Sequence, residues 1–308
     1  MPPAAPALRE WRSARPLQLL AVLGVHRRGG SDPTFRIGAD AAVVRGIQTP
    51  EGPATVEYHC APRDARVRAR AWGAGAQWAL EQAPAALGEG DAAEGFVAHH
   101  TPVAAAARRF AGWRVPASGL VLDALVPAIM EQRVTGKEAF GAYRRLVQRH
   151  GEPAPGPWAD AGLVVPPGPR GWRGIPSWEW LRAQVDPGRS ATVMRVCALG
   201  PSLERLTGRT PPEARAALRT VAGVGQWTAA EVAHRALGDP DAVSFGDYHV
   251  ARSIGWALTG VELDDAGLAE LLQPYGGHRY RVQRLLELSG AAHPRHAPRM
   301  ALPTHLPR

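Results

Sequence analysis

The sequence predicts an α+β chain in which a small antiparallel β-sheet precedes a mainly helical region. Three observations carry this. Before residue 100 the apolar segments are short, β-branched and separated by turn-forming residues, whereas from Thr101 onward apolar residues recur at helical spacing. In "ARVRARAW", residues 65–72, small apolar residues alternate with Arg66, Arg68 and Arg70, which is a strand with one wet, basic face.

Taken in order, residues 1–16 are rich in Pro and Arg and read as a flexible arm. "LQLLAVLGVH", "TFRIGADAAVVRGIQ" and "ATVEYHC" read as strands, interrupted by the turn chemistry of "RRGGSDP" and "TPEGP". "GAGAQWALEQAPAALG" reads as a strand-to-helix turn and a covering helix that Pro84 breaks early. Its Gly73-Ala74-Gly75 lacks the third glycine and the βαβ frame of a dinucleotide site. Residues 17–100 are therefore an N-terminal antiparallel sheet domain with a covering helix.

Residues 101–292 carry successive helical segments. Thr135 and Glu138 have the spacing of a capping box opening "KEAFGAYRRLVQRHG", with Lys137 in its first turn. The Pro-rich run over 151–176 reads as an extended connector inside this helical region, and residues 293–308 as a flexible basic tail.

A chain of 308 residues, 45% hydrophobic and 21% charged, suits a globular protein of two or three packed subdomains. Apolar runs fall short of the ~20 residues of a membrane span, and the N-terminus lacks an apolar signal core, so the expected location is cytoplasmic. The net charge of +8 points to a polyanionic partner, nucleic acid first. Arg-rich composition without such a partner is the other reading. Two distant cysteines, Cys60 and Cys197, and histidines without His-x-x-x-His spacing give no support for zinc or an iron–sulfur cluster. Lys137 is the single lysine, so any amine-based covalent chemistry must use it or the terminal amine.

The most specific pattern lies over 211–250. In "PPEARAALRTVAGVGQWTAAEVAHRAL" a helix ends near Val221, the chain turns through Gly223-Val224-Gly225, and a second helix starts at about Gln226. Such a turn either packs two helices tightly or offers its N–H groups to a phosphate. Further on, in "SFGDYHV", Asp247 reads either as a cap for the helix beginning at Tyr248 or as a catalytic carboxylate.

"LRTVAGVGQWTAAEVAHRALGDPDAVSFGDYHV" resembles the helix-hairpin-helix, Gly/Pro-rich loop and Asp signature of the HhH-GPD DNA glycosylase superfamily. "LVPAIMEQRVTGKEAFGAYRRLVQRHG" is similar to that family's segment beside the DNA gap, and the strand-rich start narrows the likeness to the 3-methyladenine DNA glycosylase II (AlkA-like) branch. The resemblance implies two helical subdomains with a DNA cleft between them, a flipped nucleotide, and cleavage of the base–sugar bond. It makes Asp247 the catalytic acid, and Gly223, Val224, Gly225, Gln226 and Thr228 the DNA-binding hairpin. The carbonyls of Arg219, Val221 and Val224 fall where relatives hold a monovalent ion.

A lone carboxylate suits this reaction, because the lengthening glycosidic bond gives the sugar oxocarbenium character that a fixed negative charge stabilises. Trp227 stands where bifunctional relatives carry a lysine, which implies a monofunctional enzyme leaving an abasic site. The branch also expects a base pocket at Trp227, Glu231, His278 and Tyr248. Trp227 offers a stacking platform for cationic alkylated purines such as 3-methyladenine and 7-methylguanine. Glu231 departs from the aromatic pattern: it attracts a cationic base, bonds a base edge, or faces solvent. Gln132 and Arg133 fall at the gap left by the flipped base. The expected partner is double-stranded DNA with damaged bases, bound by a monomer that needs no cofactor, zinc or iron–sulfur cluster. The alternatives are a glycosylase of the same fold for a deaminated, oxidised or bulky purine, and a non-catalytic damaged-DNA binder.

Overall fold

The computed structural model describes residues 5–38, 40–61 and 65–291, so the expectation of a tail over 293–308 lies outside the described residues. Five antiparallel strands form the N-terminal sheet in the order β1-β5-β4-β3-β2. They are β1 (Ala7–Arg12), β2 (Phe35–Ile37), β3 (Val43–Thr49), β4 (Gly52–Ala61) and β5 (Arg66–Trp72). In β5 the alternation holds: Val67, Ala69 and Ala71 are buried while Arg66 and Arg68 are exposed. The wet face is not left as bare charge, since Arg68 pairs with Glu10 of β1 and Arg70 with Glu57 of β4.

Three expectations need correction. Residues 7–12, read as part of an arm, are the edge strand β1, with Ala7, Arg9 and Trp11 turned inward in register with β5. The run read as the strand "LQLLAVLGVH" is helical: α1 (Leu19–Leu23) and a 3-10 turn over Gly24–His26. Leu19, Val22 and Leu23 recur at helical spacing and are all buried, so tertiary packing decides what a short apolar run cannot. Pro84 also lies inside α2 (Ala76–Ala86) rather than ending it. Helix α2 buries Ala76, Ala79, Leu80 and Ala83 in the same core as Val56, Val67 and Ala69 of the sheet.

The helical region is built around α4 (Val121–Met130), whose residues other than Asp123 are all buried. A helix apolar on every side needs neighbours on every side. They are α5 (Gly136–His150), α8 (Pro187–Ala198), α9 (Gly200–Glu204) and α11 (Gln226–Ala236). Glu204 satisfies the start of α4 by accepting from the N–H groups of Val121 (2.8 Å) and Leu122 (2.9 Å). Asp123 ties the sheet to this core through a 2.8 Å pair with Arg45 of β3, both side chains 9% exposed. The capping box forms at Thr135 and Glu138 as its spacing predicts.

The remaining helices are α3 (Thr101–Arg109), α6 (Pro169–Gly174), α7 (Ser177–Arg182), α10 (Pro211–Leu218), α12 (Val250–Thr259), α13 (Asp265–Leu271) and α14 (Arg279–Ser289). The Pro-rich connector is more ordered than its composition predicts. Its β6 (Glu152–Pro153) and β7 (Val164–Val165) pair with each other, and β7 lies against Gly46, where an added Cβ would sit 2.4 Å from the Val164 carbonyl oxygen.

Candidate functional site

Helices α10 and α11 form the hairpin, joined by residues 219–225. Its two glycines have different reasons. Gly223 has φ +93°, and a Cβ there would lie 2.4 Å from Thr192 Oγ1, so both backbone and space demand glycine. Gly225 has an ordinary φ and open space around it. Its missing side chain leaves open space at the start of α11, whose first N–H groups have no partner within the helix. Gln132, just past α4, clamps the turn from behind: its amide donates to the Gly223 carbonyl (3.0 Å) and to Thr228 Oγ1 (2.8 Å). Val224 and Thr228 are buried, while Gln226 is exposed.

Asp247 lies in the turn that enters α12. Its Oδ1 accepts from the N–H groups of His249 (2.8 Å) and Val250 (3.2 Å), and its Oδ2 accepts from the Trp227 indole (3.2 Å). The cap reading therefore holds, and it leaves the second carboxylate oxygen directed at Trp227. One oxygen caps α12 and the other meets the side chain of the second residue of α11, so the hairpin helix positions the carboxylate. Gly246, at φ +88°, donates to Asp265 of α13 (2.8 Å) and fixes the approach.

The four residues expected at a base pocket have different surroundings. Trp227 meets Asp247. Glu231 does not face solvent: it is 7% exposed, pairs with Arg235 one turn on, and accepts from Ser244 Oγ (2.6 Å). Burial pushes its carboxyl up, but Arg235 and its other partners outweigh burial and hold it down at about 2. Arg235 also donates to the Val25 carbonyl (3.0 Å), tying α11 to the N-terminal domain. His278 packs edge-on against Phe96 (ring centroids 5.6 Å apart) and accepts from Arg281 (3.3 Å). Tyr248 is 69% exposed, with the Arg252 guanidinium 4.4 Å from its ring centre.

At the expected gap, Gln132 is occupied by the hairpin. Arg133 is exposed, unpaired among the described residues, and held at φ +55°, a conformation costly for a side chain of this size. Arg133 is therefore the one free to project. Sequence reasoning missed Glu131, at the end of α4. It pairs with Arg28 of the N-terminal domain (3.3 Å), and burial raises its carboxyl above the usual range against the pull of Arg28 and Arg235. Nothing local in "MEQRVT" marks it, because its partner comes from a segment about a hundred residues away.

No protein-family model and no curated protein matches the sequence. Solved structures do match over nearly the whole chain. A 3-methyladenine DNA glycosylase from Archaeoglobus fulgidus is 16% identical with a TM-score of 0.73, covering 92% of this chain and 98% of that one. MBOgg1 in complex with a low-affinity DNA ligand is 13% identical, with a TM-score of 0.69 over 92% and 97%. An 8-oxoguanine glycosylase/lyase from Clostridium acetobutylicum is 9% identical, with a TM-score of 0.68 over 93% and 99%. The chain has the helix-hairpin-helix DNA glycosylase fold. Within that fold, an AlkA-like sheet domain precedes the helices, and the hairpin, Trp227 and Asp247 form one continuous constellation.

Proposed function

We propose that the protein is a monofunctional DNA glycosylase that hydrolyses the N-glycosidic bond of a flipped-out alkylated purine and leaves an abasic site. The observation that carries this is Asp247, presented by two backbone N–H groups and the Trp227 indole beside a glycine-pinched hairpin. The hairpin N–H groups hold a backbone phosphate, and Arg133 enters the gap. As the C1′–N bond breaks, its electron pair passes to the base, and Asp247 stabilises the positive charge left on the sugar. Water then bonds to C1′ and passes its proton to the Asp247 carboxylate, which returns it to solvent. A base already cationic through methylation leaves neutral, so the site needs no acid on the leaving group.

The carbonyls of Arg219, Val221 and Val224 suit a monovalent cation. Among the described residues only Val221 O accepts a hydrogen bond, from Val224 N–H (2.9 Å), which leaves lone pairs on all three. A bound ion would add positive charge beside the phosphate.

A second reading is favoured by Glu231. With its charge met by Arg235 and Ser244, it adds little attraction for a cationic base, and Trp227 can also stack on a neutral oxidised or deaminated purine. Duplexes each carrying one defined lesion decide between them. Release of free base from methylated purines, with little from 8-oxoguanine or hypoxanthine, supports the first reading; the reverse order selects the second. Binding to all of them without release makes the protein a damaged-DNA binder. Borohydride during turnover should trap no protein–DNA adduct, because Lys137, the single lysine, lies exposed in the first turn of α5 and Trp227 stands beside Asp247; an adduct lost in Lys137→Arg would overturn the monofunctional assignment.

A further inference from the structure

Outside the hairpin and Asp247, one cavity has the chemistry of a binding site. It measures about 650 Å³ and lies between the 27–31 loop, the edge strand β2 and helix α5, lined by Arg27, Ser31, Phe35, Arg36, Arg144 and Gln148. We infer that this cavity is a second DNA-binding site, taking backbone phosphates of the duplex flanking the lesion. The inference rests on the glycosylase reading above.

Charge is the first argument. No carboxylate lines the cavity, and among the described residues none of its three arginines has a carboxylate partner. Arg28, next to Arg27, does pair with Glu131, and Arg149, farther along α5, with Glu179. Arg36 donates only to neutral carbonyls, those of Asp32 (2.6 Å), Phe35 (3.0 Å) and Gly162 (3.1 Å). Arg27 donates to the Gly30 carbonyl (3.2 Å) and lies 5.9 Å from the Phe35 ring centre, while its buried Nε has no partner. The Arg144 side chain makes no hydrogen bond or ion pair among the described residues. Three uncompensated guanidinium groups around one concavity repel each other, and an oxyanion relieves that repulsion with charge-assisted bonds. Ser31 and Gln148 add neutral donors to the same wall.

Placement is the second argument. Lys137, Arg144 and Gln148 are spaced to share one face of α5, and α5 begins just after Arg133 at the gap. From Lys137 to Arg144 the helix rises about 10 Å, the axial length of about three nucleotides of one strand. A strand leaving the gap therefore meets Lys137 first and the cavity next. The cavity is also braced to the cleft, because Arg28 follows Arg27, pairs with Glu131, and Glu131 precedes the Gln132 that clamps the hairpin. An isolated phosphate leaves most of such a volume empty, whereas a sugar-phosphate stretch does not.

The test measures affinity against salt concentration for wild type and for Arg27→Gln with Arg144→Gln. The probes are a long duplex with one abasic site, the same duplex trimmed close to the lesion on both sides, and inorganic phosphate alone. The double variant should bind the long duplex about tenfold more weakly and lower the slope of log K against log salt by about two, with little change on the trimmed duplex. Base release from saturating DNA should be unchanged, and an unaltered melting temperature guards against misfolding. A wild-type slope on the long duplex overturns the inference, as does saturable binding of inorganic phosphate that alone responds to the variants. Failure of wild-type protein to bind any duplex overturns the glycosylase reading as well.

Discussion

Asp247→Asn should lower base release by about 10³-fold while leaving affinity for abasic-site DNA within a few fold, because the loss falls on charge stabilisation in the transition state. That factor corresponds to about 4 kcal/mol. The substitution also has a structural cost that the geometry makes explicit. Both carboxylate oxygens are acceptors, one for the N–H groups of His249 and Val250 and the other for the Trp227 indole. Asparagine has one acceptor oxygen, so one of these donor sets faces an NH2 group. If the oxygen stays on the α12 cap, the indole loses its partner; this should shift the Trp227 side chain with little effect on folding, since Asp247 is half-buried. Single-turnover release of methylated purine, with a melting curve and an abasic-DNA titration on the same preparation, separates the effects. Release at the wild-type rate would show that Asp247 is only a helix cap.

The sequence made legible what depends on local pattern. Thr135 and Glu138 announce their capping box, Arg66, Arg68 and Arg70 announce β5, and Gly223 announces a turn that its φ of +93° requires. What escaped depends on partners distant in the chain. Residues 7–12 look like an arm because Pro and Arg dominate their surroundings, yet pairing with β5 makes them a strand. The apolar run at 19–23 becomes helical for the same reason. At the site, spacing placed Trp227 and Glu231 on one face of α11, and that spacing equally joins Glu231 to Arg235. Sequence offers no ranking between these neighbours. Burial does, since a desolvated carboxylate needs a cation, and Ser244 arrives from the loop after α11 to complete the set.

That ranking leads to the second large effect. Glu231→Gln should destabilise the fold by about 3 kcal/mol or more at neutral pH, because it leaves the Arg235 guanidinium buried without its countercharge. The pH dependence has a definite sign. Glu231 is depressed from an ordinary 4.5 to about 2, so its contribution is fully present above about 4.5 and is lost as pH falls toward 2. Wild-type stability should therefore decline across that acid window, and the variant should lack this part of the decline. His234, stacked on Tyr280 and lowered to about 3 by burial against the opposing pull of Glu231, adds to the acid sensitivity, so the comparison reads Glu231 together with the imidazole it faces. Urea unfolding of the two proteins between pH 7 and pH 3 measures the difference directly. If the variant is as stable as wild type but loses discrimination among damaged bases, Glu231 reads the base and the ion pair is incidental. If stability falls and base release per folded molecule is kept, the carboxylate is the buried support of α11, and the base is selected by Trp227 and the walls around it.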